Sequence, residues 1–329
     1  MNKITITLPD GSKQNFDSGV TGYDIAKSIG EGLLRSSIAI SANGEAIDLH
    51  KAITEDSTVE IMTSKSLLSH NILLHSAAHL LAQAIKINYP SAKIAIGPAL
   101  KETFYYDIDL DIALNEEALL GLEKTMKKIV KNNFQVERQE LNREKAIKLF
   151  KGLEEDYKVE IIGEINNSDM ISAYKQGDFI DLCRGPHVPS TGKIKHFKLL
   201  STAGAYWRGN DKNKMLQRIY GTAWFTKEEL NGYLYRIEEA KKRDHRKIGK
   251  ELEIFAFDDE VGPGLPLWLP NGAIMIEELE KIAKETEKKA GYLRVKTPHL
   301  TKGDLYRRSG HLKHYQESMF PAMNIDGID

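Results

Sequence analysis

The start of the chain alternates apolar and polar residues in short runs that are separated by turn residues. Apolar residues alternate with threonine over positions 4–8, and Pro9-Asp-Gly-Ser12 supplies a turn, which predicts a β-hairpin. Thr21 and Asp24 have the spacing of a capping box ahead of a short helix that Gly30 ends. Two more strands are predicted, over residues 37–41 and 58–62. This order predicts a small β-grasp, ubiquitin-like module over residues 1–64, which we expect to bind or dock without chemistry of its own.

A helical period replaces the alternation after residue 65. Apolar residues recur at Leu73, Leu74, Ala77 and Ala78, which predicts a helix that ends near Pro90. A second, charged helix is predicted over residues 115–132, and strands are predicted over residues 94–110 and 157–165.

The last third of the chain changes character near residue 260. A long helix is predicted over residues 226–253, with Leu230 and Leu234 on one apolar stripe. Proline and glycine then crowd residues 262–272, which is typical of the entry to a new domain. Beyond them, a helix is predicted over residues 273–289 and a strand over residues 293–297, ended by Pro298.

Composition places the chain among globular proteins, and its charge distribution indicates a partner. The chain is 41% hydrophobic and 28% charged, which excludes collagen-like and low-complexity classes. Its net charge of −1 hides a basic segment, because residues 191–250 hold 15 basic and 6 acidic side chains. Such a segment indicates a phosphate-rich partner, and a solvated helix face with ion pairs is the alternative.

The single cysteine and the N-terminal residues indicate the cellular compartment in which the protein is found. Cys183 has no partner for an internal disulfide, which predicts a reduced thiol. The alternating N-terminus is unlike a signal peptide, and no apolar stretch approaches about 18 residues. We therefore expect a cytoplasmic protein without an export signal or a membrane span.

Three histidines and the cysteine have spacings that suit chemistry. His75 and His79 are four residues apart on one face of a predicted helix, and Cys183 precedes His187 by four residues. One thiolate with three imidazoles is a donor set that suits tetrahedral zinc. The alternative is that these are ordinary helix and loop residues.

Aromatic and basic residues are interleaved in the basic segment. Aromatic rings can stack on bases and cations can bind phosphate, whereas the same aromatics could equally belong to a core. The candidates for contact with a nucleic acid are Tyr206, Trp207, Arg208, Lys214, Arg218, Arg243, Arg246 and Lys247.

Several of these segments resemble bacterial threonyl-tRNA synthetases, in order and over essentially the whole chain. The matching motifs are Leu-Leu-His75-Ser-Ala-Ala-His79-Leu-Leu, Ile96-Gly-Pro98, Phe104-Tyr-Tyr-Asp107, Asp181-Leu-Cys183-Arg-Gly-Pro-His187, Ala203-Gly-Ala-Tyr-Trp-Arg208, Met215-Leu-Gln-Arg-Ile-Tyr-Gly-Thr-Ala-Trp224 and Lys242-Arg-Asp-His-Arg-Lys247. The resemblance implies a multidomain α+β fold. Its parts would be a TGS module over 1–64, an editing domain over 65–225, a basic linker helix over 226–250, and the start of a class II antiparallel-sheet catalytic domain over 251–329.

The resemblance also implies what the parent protein does and where this chain departs from it. A synthetase of this family attaches threonine to tRNA(Thr) with ATP, magnesium and a zinc ion, whose binding residues would follow Asp329. We therefore expect no aminoacylation from residues 1–329. Helix 273–289 with Pro298 resembles class II motif 1, which implies a homodimer. Arg138-Gln-Glu140 spells the R-x-E of motif 2, which we interpret as chance because it precedes motif 1 in a charged stretch with an apparent helical pattern.

For the editing domain, the resemblance implies hydrolysis of mischarged Ser-tRNA(Thr). Serine lacks one methyl of threonine, a difference worth only about 1 to 3 kcal/mol in binding, so a second, hydrolytic site is needed. The site implied comprises His75, His79, Lys158, Asp181, Cys183 and His187, with Tyr105 or Tyr106 near the substrate. From their chemistry, we expect His75 or His187 to act as the base, Lys158 to stabilise the oxyanion and Asp181 to bind the substrate ammonium.

Three mechanisms and two other functions stay open at this point. Related alanyl editing domains hold zinc with the same four-ligand pattern, whereas the threonyl type resembled here implies hydrolysis without a metal, so we expect no cofactor for editing. Cys183 as a covalent nucleophile is the third mechanism. A non-catalytic tRNA-binding or regulatory protein, and a zinc hydrolase with another substrate, are the alternative functions.

Overall fold

The computed structural model describes residues 3–166 and 169–323, which form a mixed α+β protein. The chain divides into two compact units, Met1–Glu239 and Ala240–Asp329. Within the described residues, no helix is both long enough and apolar enough to cross a membrane.

The first unit begins with a β-grasp arrangement. Its elements are β1 (Lys3–Thr7), β2 (Lys13–Asp17), β3 (Val20–Thr21), α1 (Gly22–Ile29), α2 (Glu31–Ser36), β4 (Ala39–Ala42), β5 (Glu45–Ile47), β6 (Ala52–Ile53) and β7 (Ser57–Met62). The main sheet has the order β2-β1-β7-β4-β5, in which β1 and β7 are parallel. The predicted hairpin is confirmed as the antiparallel pair β1 and β2, and the predicted capping box joins Thr21 to Asp24.

The rest of the first unit combines two antiparallel sheets with helices. Its elements are α3 (Ser69–Asn88), β8 (Lys93–Ile94), β9 (Phe104–Asp109), α4 (Glu116–Asn132), β10 (Val136–Leu141), α5 (Arg143–Gly152), α6 (Asp156–Glu164), β11 (Ile171–Gln176), β12 (Phe179–Leu182), β13 (His196–Tyr206), β14 (Met215–Trp224) and α7 (Lys227–Lys242). One sheet has the order β10-β11-β12 and the other the order β13-β14-β9-β8. Three-residue 3-10 turns follow residue 190 and β13.

Helix α3 is the centre of this part of the fold. It packs against α4 on one side and against β9 and β14 on another. Leu73, Leu74 and Leu80 are fully buried, and a helix that is apolar on several faces belongs in a core. The same core includes Ile38 and Met62 of the β-grasp part, so the N-terminal module is packed against α3.

Two of our secondary-structure predictions in this unit are wrong. The predicted strand at 157–165 is helix α6, because Ile162 and Val159 pack with the core residues of α5 and tertiary packing overrides the strand preference of valine and isoleucine. The stretch around Arg138, interpreted as helical, is strand β10, which pairs with β11.

The predicted helix over residues 226–253 is divided into two. Helix α7 ends at Lys242, and the Asp244 carboxylate accepts a hydrogen bond from the Arg246 N–H at 2.9 Å, which caps a new helix. The second unit contains α8 (His245–Glu251), β15 (Phe255–Ala256), β16 (Leu267–Trp268), α9 (Pro270–Lys289), α10 (Gly303–Arg308) and α11 (His311–His314).

The strand predicted over 293–297 is absent from the structure, although α9 confirms the helix that precedes it. A strand needs a neighbour to pair its backbone groups, and in the described part of the chain residues 293–297 have none.

We expect the contact between Gly221 and Phe104 to limit the size of residue 221. A Cβ atom at Gly221 would lie 2.4 Å from the Phe104 ring, which is fully buried and cannot move without displacing its neighbours. Gly221→Ala should lower the free energy of unfolding by about 1 to 3 kcal/mol, measured by urea titration. Gly163→Ala is the control, since open space surrounds Gly163 in α6 and alanine favours a helix. Equal stability of the Gly221→Ala and wild-type proteins would contradict this packing argument.

Candidate active site

The predicted histidines and the cysteine lie together beside α3. His75 and His79 project from successive turns of α3, while Cys183 and His187 lie in the loop after β12. The candidate ligand atoms of all four lie within 4.8 Å of one another. The Sγ atom of Cys183 is 3.1 Å from Nε2 of His75 and 3.3 Å from Nε2 of His187. We call these four residues the His/Cys cluster.

A buried ionic network adjoins the His/Cys cluster. Asp181 of β12 is fully buried, and its Oδ1 lies 2.6 Å from Nζ of Lys158 in α6. The hydroxyl of Tyr106 donates to Oδ2 of Asp181 at 2.5 Å, and the Lys158 ammonium donates to the Tyr106 oxygen at 3.0 Å. Nε2 of His79 is 3.7 Å from Oδ2 of Asp181, so the network and the cluster form one continuous group of side chains, which we call the pocket.

Buried amides fix α3 relative to the sheet that carries Asp181. The Gln83 side chain donates to the backbone carbonyl of Gln176 at 3.1 Å. The Gln176 side chain in turn donates to the Gln83 side chain at 2.9 Å and to the backbone carbonyl of His79 at 3.3 Å. Satisfied buried amides of this kind set the position of a helix, and here they set that of His79.

The three imidazoles of the cluster are held in the neutral form. Burial lowers the pKa of His79 and His187 well below the usual value, because a charged ring would lose its hydration. His75 is less enclosed, and burial lowers its pKa as well. Neutral imidazoles can accept a proton from water or bind a metal.

The thiol of Cys183 is held protonated. Burial raises its pKa to about 12, although the backbone N–H of Gly185 donates to Sγ at 3.3 Å and acts in the opposite direction. A thiol in this state is a poor nucleophile at neutral pH, since the thiolate is the reactive form. The electrostatics therefore disfavour the covalent mechanism.

Ser76 fixes the tautomer of His187. The Ser76 hydroxyl donates to the carbonyl of Ile72 at 2.8 Å, and its oxygen accepts the N–H of Val188 at 3.0 Å. Because its one proton is used, the Ser76 oxygen accepts from Nδ1–H of His187, 3.1 Å away. The lone pair of His187 therefore lies on Nε2, which faces Cys183.

The His/Cys cluster fits a zinc site in its donor chemistry. One sulfur and three imidazole nitrogens within 4.8 Å are a donor set that tetrahedral zinc accepts. The tautomer of His187 leaves a lone pair for such an ion, and a hydrogen bond on the outer nitrogen of a ligating histidine is the usual arrangement.

The two tyrosines named with this site point to opposite faces of β9. Tyr106 is buried in the network with Lys158 and Asp181. Tyr105 lies under the guanidinium of Arg218, which is 3.8 Å from the centre of its ring. Alternation along a strand therefore favours Tyr106 as the tyrosine of the pocket.

The residues predicted to contact nucleic acid are largely engaged within the protein. Trp207 is buried and donates to the carboxylate of Glu160, so its ring is a core group and is not free for a base. Arg208 pairs with Glu160 and Glu164, and the side chain of Tyr206 is exposed.

The predicted basic residues have acidic or other partners of their own. The pairs are Lys214 with Asp109, Arg218 with Asp107, Arg246 with Asp244 and Lys247 with Glu251, and Arg243 also interacts with a neighbour. Such ion pairs are what the alternative interpretation of the basic segment, a solvated helix face with ion pairs, predicts. Contact between these residues and a tRNA remains a prediction.

Sequence reasoning missed four residues around His187, namely Asp48, Ser76, Arg138 and Tyr174. Ser76 directly follows His75 and lies four residues after Ile72. This spacing in a predicted helix could have indicated that the Ser76 hydroxyl lies near the Ile72 carbonyl and beside the histidines. Asp48 and Tyr174 carry no local signal, since the fold alone brings them to the pocket loop.

Comparisons with known proteins agree with the geometry of the first unit. The TGS domain family matches residues 4–63. The family described as "Threonyl and Alanyl tRNA synthetase second additional domain" matches residues 171–220. Threonine--tRNA ligase of Streptococcus equi subsp. zooepidemicus (strain H70) is 51% identical over 324 residues, which cover 98% of this chain and 50% of the relative. Threonine--tRNA ligase of Staphylococcus aureus (strain JH9) is also 51% identical, over 326 residues, with 99% and 50% coverage.

The chain belongs to the threonine–tRNA ligase family. It matches the N-terminal half of these ligases, and it spans about half the length of the curated relatives it matches. The matches to the TGS domain and to the second additional domain agree with the mixed α+β, multidomain fold of this chain.

Added Zn²⁺ or Co²⁺ should bind to the His/Cys cluster at one ion per chain, and Ser76 should strengthen the binding. Cys183→Ser should abolish the sulfur-to-cobalt absorption band. Ser76→Ala should weaken metal affinity by about 10- to 100-fold, because His187 loses the acceptor that orients it. Competition with a chromophoric chelator measures the affinity, and Ser91→Ala, an exposed serine beyond α3, is the control. Wild-type affinity in Ser76→Ala would contradict the orienting role.

Proposed function

We propose that the pocket of this chain hydrolyses the aminoacyl ester of Ser-tRNA(Thr). The observation that carries the proposal is the junction at His79 and Asp181, where neutral imidazoles meet a Lys158 ammonium held in a buried network. Ester hydrolysis needs a base for water and a cation for the developing oxyanion, and this pocket contains both.

His75 is the base in this proposal. Of the three imidazoles it is the least enclosed, and its pKa is lowered, so it is neutral and able to accept a proton. It takes a proton from water as the water oxygen bonds to the ester carbonyl carbon. The bond from that carbon to the ribose oxygen then breaks, and the imidazolium returns the proton to the ribose oxygen. The products are serine and tRNA.

Lys158 stabilises the oxyanion. Its ammonium has three N–H groups, of which one donates to Asp181 and one to Tyr106. The third N–H is the one that we assign to the developing oxyanion. An ammonium held by two buried partners is pre-organised, and such a donor contributes typically 10²- to 10³-fold to the rate, on the order of 3 kcal/mol.

In this proposal, Asp181 holds Lys158 in position and does not bind the substrate ammonium. Its two oxygens already receive protons from Lys158, Tyr106 and the backbone N–H of Leu182, and it is fully buried. Because three of its roughly four lone-pair sites already accept hydrogen bonds, we assign Asp181 to Lys158 and not to a second ammonium. The role that we expected for Asp181 from its chemistry alone is therefore replaced by a positioning role.

Cys183 acts as a neutral thiol, and the hydrolysis needs no metal. A zinc ion bound by His75, His79, Cys183 and His187 together would have four protein ligands, as in structural sites, whereas catalytic zinc keeps one position open for water. Bound there, zinc would supply structural cross-linking of α3 to the loop. Without it, the Cys183 thiol donates to Nε2 of His187, which carries the lone pair of that ring, and lies beside His75.

The wider activity of the parent protein follows from the same family membership. We propose that it attaches threonine to tRNA(Thr) with ATP in the cytoplasm. Residues 251–329 would begin its class II catalytic domain, and the region of α9 and Pro298 would form a homodimer. The boundaries at residues 64, 225 and 250 remain predictions.

We expect the purified chain to deacylate Ser-tRNA(Thr) and to leave Thr-tRNA(Thr) largely intact, because we expect the added methyl of threonine to clash with the side chains around the seryl group. His75→Ala and Lys158→Ala should each lower the hydrolysis rate by on the order of 10²-fold, in single-turnover assays with radiolabelled aminoacyl-tRNA. Lys148→Ala, an exposed lysine of α5, should leave the rate unchanged. Chelator should leave it unchanged as well.

Equal hydrolysis of seryl and threonyl esters, with tRNA bound normally, would contradict the assignment. If neither ester is hydrolysed while tRNA binds normally, the non-catalytic tRNA-binding protein is the better account. Loss of activity on chelation would instead contradict the metal-free mechanism alone.

We expect tRNA binding to weaken steeply with salt, because residues 191–250 hold an excess of basic side chains. Replacing Arg243, Arg246 and Lys247 by alanine should lower the affinity and reduce the slope of log affinity against log salt. Filter binding between 50 and 200 mM salt measures the slope. A slope that is flat in the wild-type protein would exclude a surface that binds the phosphates of tRNA.

A further inference from the structure

A carboxylate of the N-terminal module reaches the loop of the pocket. Asp48 lies between β5 and β6, within the β-grasp part of the first unit. Its Oδ1 accepts the backbone N–H of His187 at 2.8 Å. The two residues are 139 positions apart in sequence, and His187 is a member of the His/Cys cluster. The contact therefore joins the TGS module to the proposed hydrolytic site.

The second oxygen of Asp48 reaches the same histidine through Tyr174. The Tyr174 hydroxyl donates to Oδ2 of Asp48 at 2.6 Å, and its ring lies edge-on to the His187 ring with 4.4 Å between centres. The carboxylate thus restrains both the backbone and the ring of His187. A ring held from one side by Tyr174 and from the other by Ser76 has one orientation.

Strand β10 completes this support. Nη1 of Arg138 donates to the Tyr174 oxygen at 2.8 Å and to the backbone carbonyl of Arg184 at 2.7 Å. Gly185 packs so closely that a Cβ atom would lie 1.8 Å from the Tyr174 oxygen, and its φ of +80° suits glycine. Burial and the nearby Asp48 charge raise the pKa of Tyr174, so its hydroxyl remains a donor. The loop over residues 183–188 is therefore tied to β10 and β11 by these contacts.

The N-terminal module has other contacts that do not depend on Asp48. Nζ of Lys193 donates to the carbonyl of Arg35 at 2.6 Å. Ile38, Ala39 and Met62 also belong to the core around α3. Removal of the Asp48 carboxylate should therefore free the loop without releasing the module.

We propose that Asp48 is a positioning residue for His187, through which the TGS module holds one wall of the pocket in its working shape. The kinetic part of this claim rests on the proposed hydrolysis of Ser-tRNA(Thr). The structural part does not, because it concerns the placement of His187 alone. The N-terminal module thereby gains a role in the chemistry of the neighbouring domain.

The kinetic test compares variants of the whole chain. Asp48→Ala should lower the kcat of Ser-tRNA(Thr) hydrolysis on the order of tenfold, with KM changed less than about twofold, since Asp48 is not among the residues that we predict to contact tRNA. Asp48→Asn should recover part of the rate, because its amide oxygen can still accept the His187 N–H. Asp56→Ala is the matched control, since Asp56 also accepts a backbone N–H within the module, that of Thr5 at 2.7 Å.

A second measurement reports His187 without hydrolysis. In ¹⁵N-histidine-labelled protein, the ring signals of His187, assigned from their absence in His187→Gln, should shift in Asp48→Ala and stay in place in Asp56→Ala. Thermal unfolding of each variant shows whether the fold is kept. If the wild-type chain hydrolyses no seryl ester and the His187 signals still shift, the proposed function fails and the positioning role stands. Unshifted signals, or a wild-type kcat in a folded Asp48→Ala protein, overturn the proposal.

Discussion

The buried carboxylate of Asp181 is the constraint on which the pocket depends. An isolated charge without water costs several kcal/mol, and the fold offsets this cost with an ammonium, a phenol and a backbone N–H placed around the two oxygens. These partners come from α6, β9 and the end of β12. The three elements must therefore meet at one place, and α3 must pass close enough to bring His79 to 3.7 Å from the same carboxylate.

The neutrality of the neighbouring groups follows from the same enclosure. The low-polarity surroundings that make the Asp181 ion pair tight also remove charge from His79 and His187 and keep Cys183 protonated. The pocket thus combines one fixed positive charge on Lys158 with uncharged proton acceptors. This division suits an ester carbonyl, which becomes negative only in the transition state. It also explains how the same imidazoles offer neutral nitrogen ligands that suit zinc.

Local features of this structure could be predicted from sequence, and features that need distant partners could not. The capping box at Thr21 and the helical pair His75 and His79 rest on spacings of three and four residues, which the backbone geometry fixes. The pattern over residues 157–165 predicts a strand, whereas burial against α5 makes this segment the helix α6. The pattern does not predict the break at Asp244, because helical spacing continues on both sides of it.

The residues that contact His187 show the same limit of prediction from sequence more clearly. The resemblance to a known family names His187, yet Asp48, Tyr174 and Ser76 come from three separate elements, and their hydrogen bonds exist only in the folded chain. Likewise, the charge pattern located a basic segment correctly, but it could not show that Arg218 and Lys214 are paired with aspartates.

The central claim is that Lys158 and His75 face one ester carbonyl in this pocket. A crystal structure of the chain with a non-hydrolysable seryl amide analogue of the terminal adenosine of tRNA tests it most directly. The account predicts the amide oxygen within hydrogen-bond distance of Nζ of Lys158, and the carbonyl carbon beside a water that contacts His75. An analogue bound away from both side chains, in a protein whose His/Cys cluster is intact, would contradict the account.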